Sequence, residues 1–322
     1  MNNPVLLLFE LSGEHPTLPT AEVEAVGRII KSYPQVAIAE CHSLDQTKRL
    51  SLCHVVMEYL GQCRATETDI LTFITRLYLV SSDSFRVRVK KVQGASPMIS
   101  ASYLEVLIGD HIQGEVSLDN PENEFRMVLS GEWAFFGRVI HVIDRGAYLY
   151  RNPLRRPFFH PGVMLPRFAR TMVNLSLICS GELLIDPFCG TGGMLLEGKF
   201  VGAELAGGDV DPCMVAGTRK NIPHVDVVIE DAAYMPFQDD CADAVVTDLP
   251  YGQSVGIRAE NLSCLSERAL AEIFRVLKRG RRAVVISHRD IRHLAGDFVL
   301  LQYHKQRVHK SLTRHTMVLK KE

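Results

Sequence analysis

The strongest constraint on the fold is a rhythm in the second half of the chain. Short apolar runs, GELLID, ELAGGD, VDVVIE, CADAVVTD and RRAVVIS, mostly end in or beside an acid or a polar residue. Segments of helix length separate most of them: GGMLLEGKFVGA, DPCMVAGTRKN and NLSCLSERALAEIFRVLKR. Alternation of strand and helix demands crossover connections, so it predicts an α/β fold with a parallel sheet covered by helices on both faces. At the end, DFVLLQYHKQ and SLTRHTMVLKK leave no room for a crossover helix, which predicts an antiparallel hairpin closing the sheet.

The first half reads differently, as two small α+β units. Residues 1–60 combine the strand-like PVLLLFEL with TAEVEAVGRIIKSY, whose Val23, Val26, Ile29 and Ile30 have helical spacing, and then the apolar pieces VAIAEC and CHVVMEYL. Residues 61–144 repeat the style. TDILTFITRLYLV is expected as a helix, FRVRVKKV as a half-buried strand, and EFRMVLSGEWAFFGRVIHVI as a hairpin around Ser130 and Gly131. Residues 145–164, with Pro153, Pro157, Pro161 and Gly162, read as a linker to a domain over 165–322.

Composition excludes several classes. A hydrophobic content of 47% and a charged content of 23% over 322 residues are those of a folded globular protein. No apolar stretch reaches the ~20 residues of a membrane span, and PVLLLFEL lacks the basic start of a secretory signal, so the expected location is cytoplasmic. The eight cysteines form no C-x-x-C pair, so no metal site is expected. Net charge is −1, yet Arg145 to Arg170 contains six arginines and no acid, and the stretch after Arg275 is basic again. Local positive faces on a neutral chain suit a polyanionic partner.

In a doubly wound sheet the ligand lies at the carboxyl ends of the strands, where this chain places its acids. DPFCGTGG starts at Asp186, turns through Gly190, Gly192 and Gly193, and opens a helix. Its spacing is not the dinucleotide G-x-G-x-x-G. A carboxylate ahead of a glycine turn disfavours phosphate and suits a cationic amine or sulfonium. Asp209 ends the next strand, where a carboxylate can accept from ribose hydroxyls, and Asp231 follows VVIE, where it can accept from an exocyclic amine beside the Ala232 N–H. Asp211 is the expected N-cap of the helix PCMVAGTRKN.

Asp248, Leu249, Pro250 and Tyr251 end the fourth strand on the same edge. An exocyclic amine on a purine is a poor nucleophile, so a site must hold its N–H groups and aim its lone pair. The Asp248 carboxylate and the Leu249 carbonyl can accept one N–H each, and both gain strength as the amine becomes cationic. Tyr251 offers a ring for an unstacked base.

Together these motifs resemble the archaeal-type tRNA guanine-10 N2-methyltransferases that carry a THUMP domain. DPFCGTGG is similar to their methyltransferase motif I, DLPY to their (Asn/Asp/Ser)-Pro-Pro-(Tyr/Phe) tetrapeptide with leucine replacing a proline, and VSLDNPENEFRMVLSGEWAFFGRVI to the end of a THUMP domain. The resemblance implies a Rossmann-like class I methyltransferase domain over 165–322, a THUMP domain over 61–144 and a ferredoxin-like unit over 1–60. It implies S-adenosylmethionine as cofactor, held by Asp186, Pro187, Phe188, Gly190, Gly192, Gly193, Asp209, Val210, Asp231 and Ala232, and Asp248, Leu249, Pro250 and Tyr251 as the catalytic group. RRPFFHPGVMLPRFARTMVNL is similar to the segment before motif I in this family, which makes Arg155, Arg156, Arg167 and Arg170, with Arg314 of HKSLTRHTMVL, candidate contacts to tRNA phosphates. Some relatives also work with a small zinc-binding activator subunit. The rival readings are an adenine N6-methyltransferase acting on RNA, a nicotinamide dehydrogenase and a noncatalytic tRNA-binding protein.

Overall fold

A computed structural model describes residues 3–92, 94–95, 100–251, 259–310 and 312–322, and the chain divides into two compact units, Met1–Asp144 and Arg145–Glu322. In chain order the first unit contains β1 (Val5–Leu11), α1 (Leu18–Val23), β2 (Arg28–Tyr33), β3 (Val36–Cys41), α2 (Leu44–Thr47), β4 (Cys53–Arg64), α3 (Glu67–Leu77), β5 (Phe85–Lys91), α4 (Ala101–Gly109), β6 (Asn123–Ser130) and β7 (Trp133–Val142).

These strands form one seven-stranded sheet in the order β2-β3-β1-β4-β7-β6-β5. The boundary expected at residue 60 therefore falls inside β4, which pairs with β1 through its first half and with β7 along its length. One long strand joins the two halves. The helix expected across TAEVEAVGRIIKSY stops at Val23, and Arg28–Tyr33 is an edge strand instead. Gly27 ends the helical run because the backbone of Glu40 and the thiol of Cys41 leave no space for a Cβ there. The β-branched pair Ile29 and Ile30 then favours an extended chain. In β1, period-2 alternation sends Leu7, Phe9 and Leu11 to the face covered by Val23 and Val26, while Leu8 packs with Met57 and Phe135 on the other. Ile70 and Ile74 of α3, with Leu104 and Ile108 of α4, cover Phe85, Phe125 and Phe136.

The second unit contains α5 (Ala147–Tyr150), α6 (Pro166–Leu175), β8 (Leu183–Asp186), α7 (Gly193–Phe200), β9 (Glu204–Asp209), α8 (Pro212–Asn221), β10 (Asp226–Ile229), β11 (Ala242–Asp248), α9 (Ala259–Val276), β12 (Leu277–Ser287), β13 (Val299–His309) and β14 (Leu312–Lys320). Its sheet runs β10-β9-β8-β11-β12-β14-β13, with β8 to β12 parallel and β14 antiparallel to both its neighbours. The expected parallel sheet and closing hairpin are both present, with β14 inserted between β12 and β13. Leu270, Ile273 and Val276 of α9 bury one face against Ile185, Val245 and Val285, and Leu195, Val215 and Val227 fill the other. Each such side chain contributes roughly 1.5–3 kcal/mol by leaving water. No helix is long and apolar enough to cross a membrane among the described residues.

Residues 145–164 are part of the second compact unit. Phe158 and Asn221 of α8 exchange hydrogen bonds, main-chain N–H to Oδ1 and Nδ2 to main-chain O, each 2.9 Å. The Phe158 ring lies over Gly217 with no room for a Cβ, so this stretch packs against α8.

Candidate active site

Strand order reverses between β8 and β11, the two central parallel neighbours, and a crevice opens at the carboxyl ends of strands at such a point. β8 delivers Asp186 there and β11 delivers Asp248. The loop after Asp186 turns through Gly190 at φ +51° and Gly192 at φ +79°, a conformation that glycine adopts without strain. A Cβ on Gly192 would stand 2.9 Å from the Thr218 methyl, whereas one on Gly190 would meet nothing within 4 Å, leaving that side of the loop open. Helix α8 fastens the loop: Thr218 Oγ1 donates to the Gly190 carbonyl at 2.7 Å, and Asn221 Nδ2 to the Thr191 carbonyl at 2.9 Å. Pro187 is buried, and Phe188 packs on the central core.

Asp209 ties the loop to the next strand, accepting from the Gly190 N–H at 2.9 Å and from the Asp211 N–H at 3.0 Å. Asp209 is half-buried and keeps further acceptor capacity, and the Val210 side chain beside it is exposed. Asp211 Oδ1 caps α8 by accepting from Cys213 N–H at 2.8 Å. Asp231 holds its own turn through the Ala233 N–H at 3.0 Å, with Ala232 buried beside it.

Electrostatics concentrate here. Asp186 is 2% exposed, and burial pushes its carboxyl up to about 7, against the pull of the Thr247 hydroxyl, which donates to Oδ1 at 2.7 Å. Burial also raises Asp209 and Asp248. Sequence reasoning missed Glu230. It lies over Gly208, is buried, and has no hydrogen-bond partner for either carboxylate oxygen among the described residues. Burial, then the charges of Asp186 and Asp209, push it up to about 7. The doubled acid Glu230-Asp231 after VVI was its only trace in the sequence. A cluster of four acids, one of them (Glu230) without any donor among the described residues, beside an open glycine loop fits a ligand rich in hydroxyl and amine donors with a net cationic centre, as S-adenosylmethionine is.

At the end of β11 the Tyr251 hydroxyl donates to both oxygens of Asp248, at 2.7 and 3.0 Å, and Arg314 Nε donates to that hydroxyl at 3.2 Å. Tyr251 thus orients the carboxylate as well as offering a ring. The His288 ring stands 5.3 Å from the Tyr251 ring at 46°, and its Nδ1 is buried without a partner among the described residues. His288 follows the last residue of β12, a position that carried no motif. Leu249 is 2% exposed in the core and its N–H donates to the Ile286 carbonyl at 2.9 Å. Proline could not make that bond, which accounts for leucine at this place. Gly252, Gln253 and Ser254, which follow the tetrapeptide, lie outside the described residues.

The arginines divide. Arg155 is exposed and Arg167 half-buried. Arg170 is 4% exposed and donates through Nε to the fully buried Glu197 at 2.9 Å, so it is a structural ion pair and not a phosphate contact. Arg314 is likewise buried, against Tyr251. The guanidinium nitrogens Nη1 and Nη2 of Arg156 are buried too. The basic run makes all of these arginines candidate phosphate contacts because nothing in it shows which cations turn inward.

Three comparisons bear on this arrangement. A family model described as UPF0020, RMKL-like, methyltransferase domain matches residues 153–316. The chain is 32% identical to the tRNA (guanine(10)-N2)-dimethyltransferase of Methanothermobacter thermautotrophicus, over 98% of this chain and 99% of that one. It is 30% identical to the protein of the same name from Pyrococcus abyssi, again over 98% and 99%. Among solved structures, TrmN from Thermus thermophilus superposes with a TM-score of 0.56 at 19% identity, covering 98% of this chain and 100% of that one, a likeness of fold.

Proposed function

The chain belongs to the family of tRNA (guanine(10)-N2)-dimethyltransferases, and from that premise we propose how its own residues carry out methyl transfer to the N2 amine of a guanosine in tRNA. The observation that carries the reading is the placement of Asp186 and Asp248 at the carboxyl ends of the neighbouring strands β8 and β11, with Thr247, beside Asp248 in the chain, donating its hydroxyl to Asp186.

S-adenosylmethionine supplies an electrophilic methyl on a sulfonium. Asp209 would accept from its ribose hydroxyls, Asp231 and the Ala232 N–H would hold the adenine edge with Val210 as an apolar neighbour, and Asp186 with the loop of Pro187, Phe188, Gly190, Gly192 and Gly193 would hold its methionyl amine. Asp248 and the Leu249 carbonyl accept the two N–H groups of the guanine amine and aim its lone pair, with Pro250 fixing the turn and Tyr251 and His288 bounding the base. As the amine gains charge, both acceptors strengthen, which favours the transition state over the ground state. The raised pKa of Asp248 also suits it to take the released proton. The names of the relatives support repetition of the cycle to N2,N2-dimethylguanosine, and position 10 as the target.

The N-terminal unit, in which the expected THUMP domain (61–144) and its ferredoxin-like companion (1–60) share strand β4, docks tRNA and selects the guanosine. Arg155 and Arg167 are the phosphate contacts retained from the arginine-rich segment. The reading places the enzyme in the cytoplasm. Where the isolated chain is inactive, a small zinc-binding activator subunit is the partner to add. Incubation of bulk tRNA with labelled cofactor and chromatography of the nucleosides tests the reading: N2-methylated guanosine is expected from the wild type and none from Asp248→Ala. N6-methyladenosine as sole product would transfer the site to adenine.

A further inference from the structure

Strands β11 and β12 carry two rings to the catalytic edge. Asp248 pairs with Ile286, and the Leu249 N–H donates to the Ile286 carbonyl at 2.9 Å, so Tyr251 and His288 each follow that last contact by two residues. Their rings stand 5.3 Å apart, tilted by 46°. His288 thus borders the place that Asp248 and the Leu249 carbonyl offer to an exocyclic amine.

Its polar neighbours have partners. The Tyr251 hydroxyl donates to both Asp248 oxygens and accepts from Arg314 Nε at 3.2 Å, and Ser287 Oγ accepts from the Arg289 N–H at 3.2 Å. His315, opposite Ser287 on β14, is hydrogen-bonded through Nδ1 to the Tyr303 hydroxyl. His288 differs: its ring is half-buried, and its Nδ1 is buried without a partner among the described residues. A polar atom left that way costs free energy until something pairs with it. Burial, then the positive charges of Arg289 and His315, hold the imidazole below its ordinary pKa, so it is neutral at pH 7 and keeps one nitrogen as an acceptor.

Beside its N2 amine, guanine presents a donor, N1–H, on one side and an acceptor, N3, on the other. Adenine presents only acceptors beside its amine, N1 and N7. An unpaired acceptor next to the amine therefore favours the first base and opposes the second. We propose that His288 reads the target base, its Nδ1 accepting from guanine N1–H while Asp248 and the Leu249 carbonyl hold N2. Entry of the base against Asp248 displaces the Tyr251 ring, whose hydroxyl now spans both carboxylate oxygens, and opens the side of His288 that faces this ring. The assignment rests on the methyltransferase reading, and it adds selection by hydrogen bonding to a pair of amine acceptors that would serve either purine.

The base 2-aminopurine isolates this contact, because it keeps the amine and has no hydrogen on N1. Single-turnover methylation of two tRNA transcripts at saturating cofactor, one with guanosine and one with 2-aminopurine at position 10, tests the proposal. The wild type should react faster with guanosine by about 10- to 100-fold. His288→Phe, which keeps a ring against Tyr251, should lose that factor on guanosine and keep the wild-type rate on 2-aminopurine. His288→Asn, whose amide oxygen reaches the place of Nδ1, should recover part of the loss. Titration calorimetry should give the three proteins the same affinity for S-adenosylhomocysteine. No preference in the wild type, equal losses on both transcripts, or weakened S-adenosylhomocysteine binding by His288→Phe would each overturn the proposal, the last two in favour of a packing role for the ring. A wild type that methylates adenosine in bulk tRNA and leaves guanosine unmodified would instead sink the reading on which it rests.

Discussion

Replacing Thr247 by valine keeps the volume of a fully buried side chain and removes one hydrogen bond, the 2.7 Å donation to Asp186 Oδ1. The Asp186 carboxyl is held up near 7, far above its ordinary 3.8, because it is buried. In the cofactor-free protein it is therefore protonated below neutrality, and the stability it lends is complete at low pH and lost as pH rises through about 7. A cationic ammonium prefers the carboxylate form, so affinity for S-adenosylhomocysteine should rise with pH and level off above about 7; Glu230, with the same direction and a similar value, steepens the rise. A hydrogen bond to a charged group is worth about 1.5–3 kcal/mol, or about 1–2 pKa units, so Thr247→Val should move the Asp186 titration to about 8–9. Titration calorimetry between pH 5.5 and 9 reads this directly. At pH 7 the variant should bind about 5- to 50-fold more weakly, with most of the loss recovered by pH 9. A loss of equal size at every pH, or affinity in the wild type that does not change with pH, would refute the coupling of Asp186 to the cofactor.

Leu249→Pro deletes the N–H bonded to Ile286 and a core side chain, so it should lower stability by about 2–4 kcal/mol, seen as a fall in thermal midpoint; an unchanged midpoint would show that the turn does not depend on that bond. Arg314→Ala should cut kcat by about 10- to 100-fold with little change in KM for tRNA, because its guanidinium holds Tyr251 rather than phosphate; the reverse pattern would restore it to the RNA surface. The β13–β14 hairpin projects past Ser287 at the catalytic edge, with no acid from Phe298 to Lys321 and with Arg307 and Lys310 exposed. The double reversal Arg307→Glu, Lys310→Glu should weaken tRNA binding and flatten its salt dependence by about two phosphate contacts, while S-adenosylhomocysteine binding is unchanged.

The α/β sheet was legible because β8 to β11 are short apolar runs that end in or beside an acid and most of the connections between them have helix length, two signals that agree. The first half was less so. In CHVVMEYLGQCR only the opening is apolar, and the partly buried polar end hid a strand of 12 residues that joins what had looked like two units. In TAEVEAVGRIIKSY the helical spacing of valine and isoleucine was real, but the steric demand at Gly27 is set by β3, a neighbour that spacing cannot reveal. At the site, strand-end acids announce themselves by position. Arg170 and Arg314 do not, since their partners Glu197 and Tyr251 are 27 and 63 residues away in the chain. Glu230 and His288 became visible only through the polar atoms they leave unpaired.

The central claim is that Asp248 holds a guanine at position 10 by its N2 amine. Mass spectrometry of digests from two transcripts, one natural and one with adenosine replacing guanosine 10, tests it most directly. The account predicts N2-methylated guanosine mapped to position 10 of the first and no methyl in the second. Methyladenosine in the second, or N2-methylguanosine at another position in the first, would contradict it.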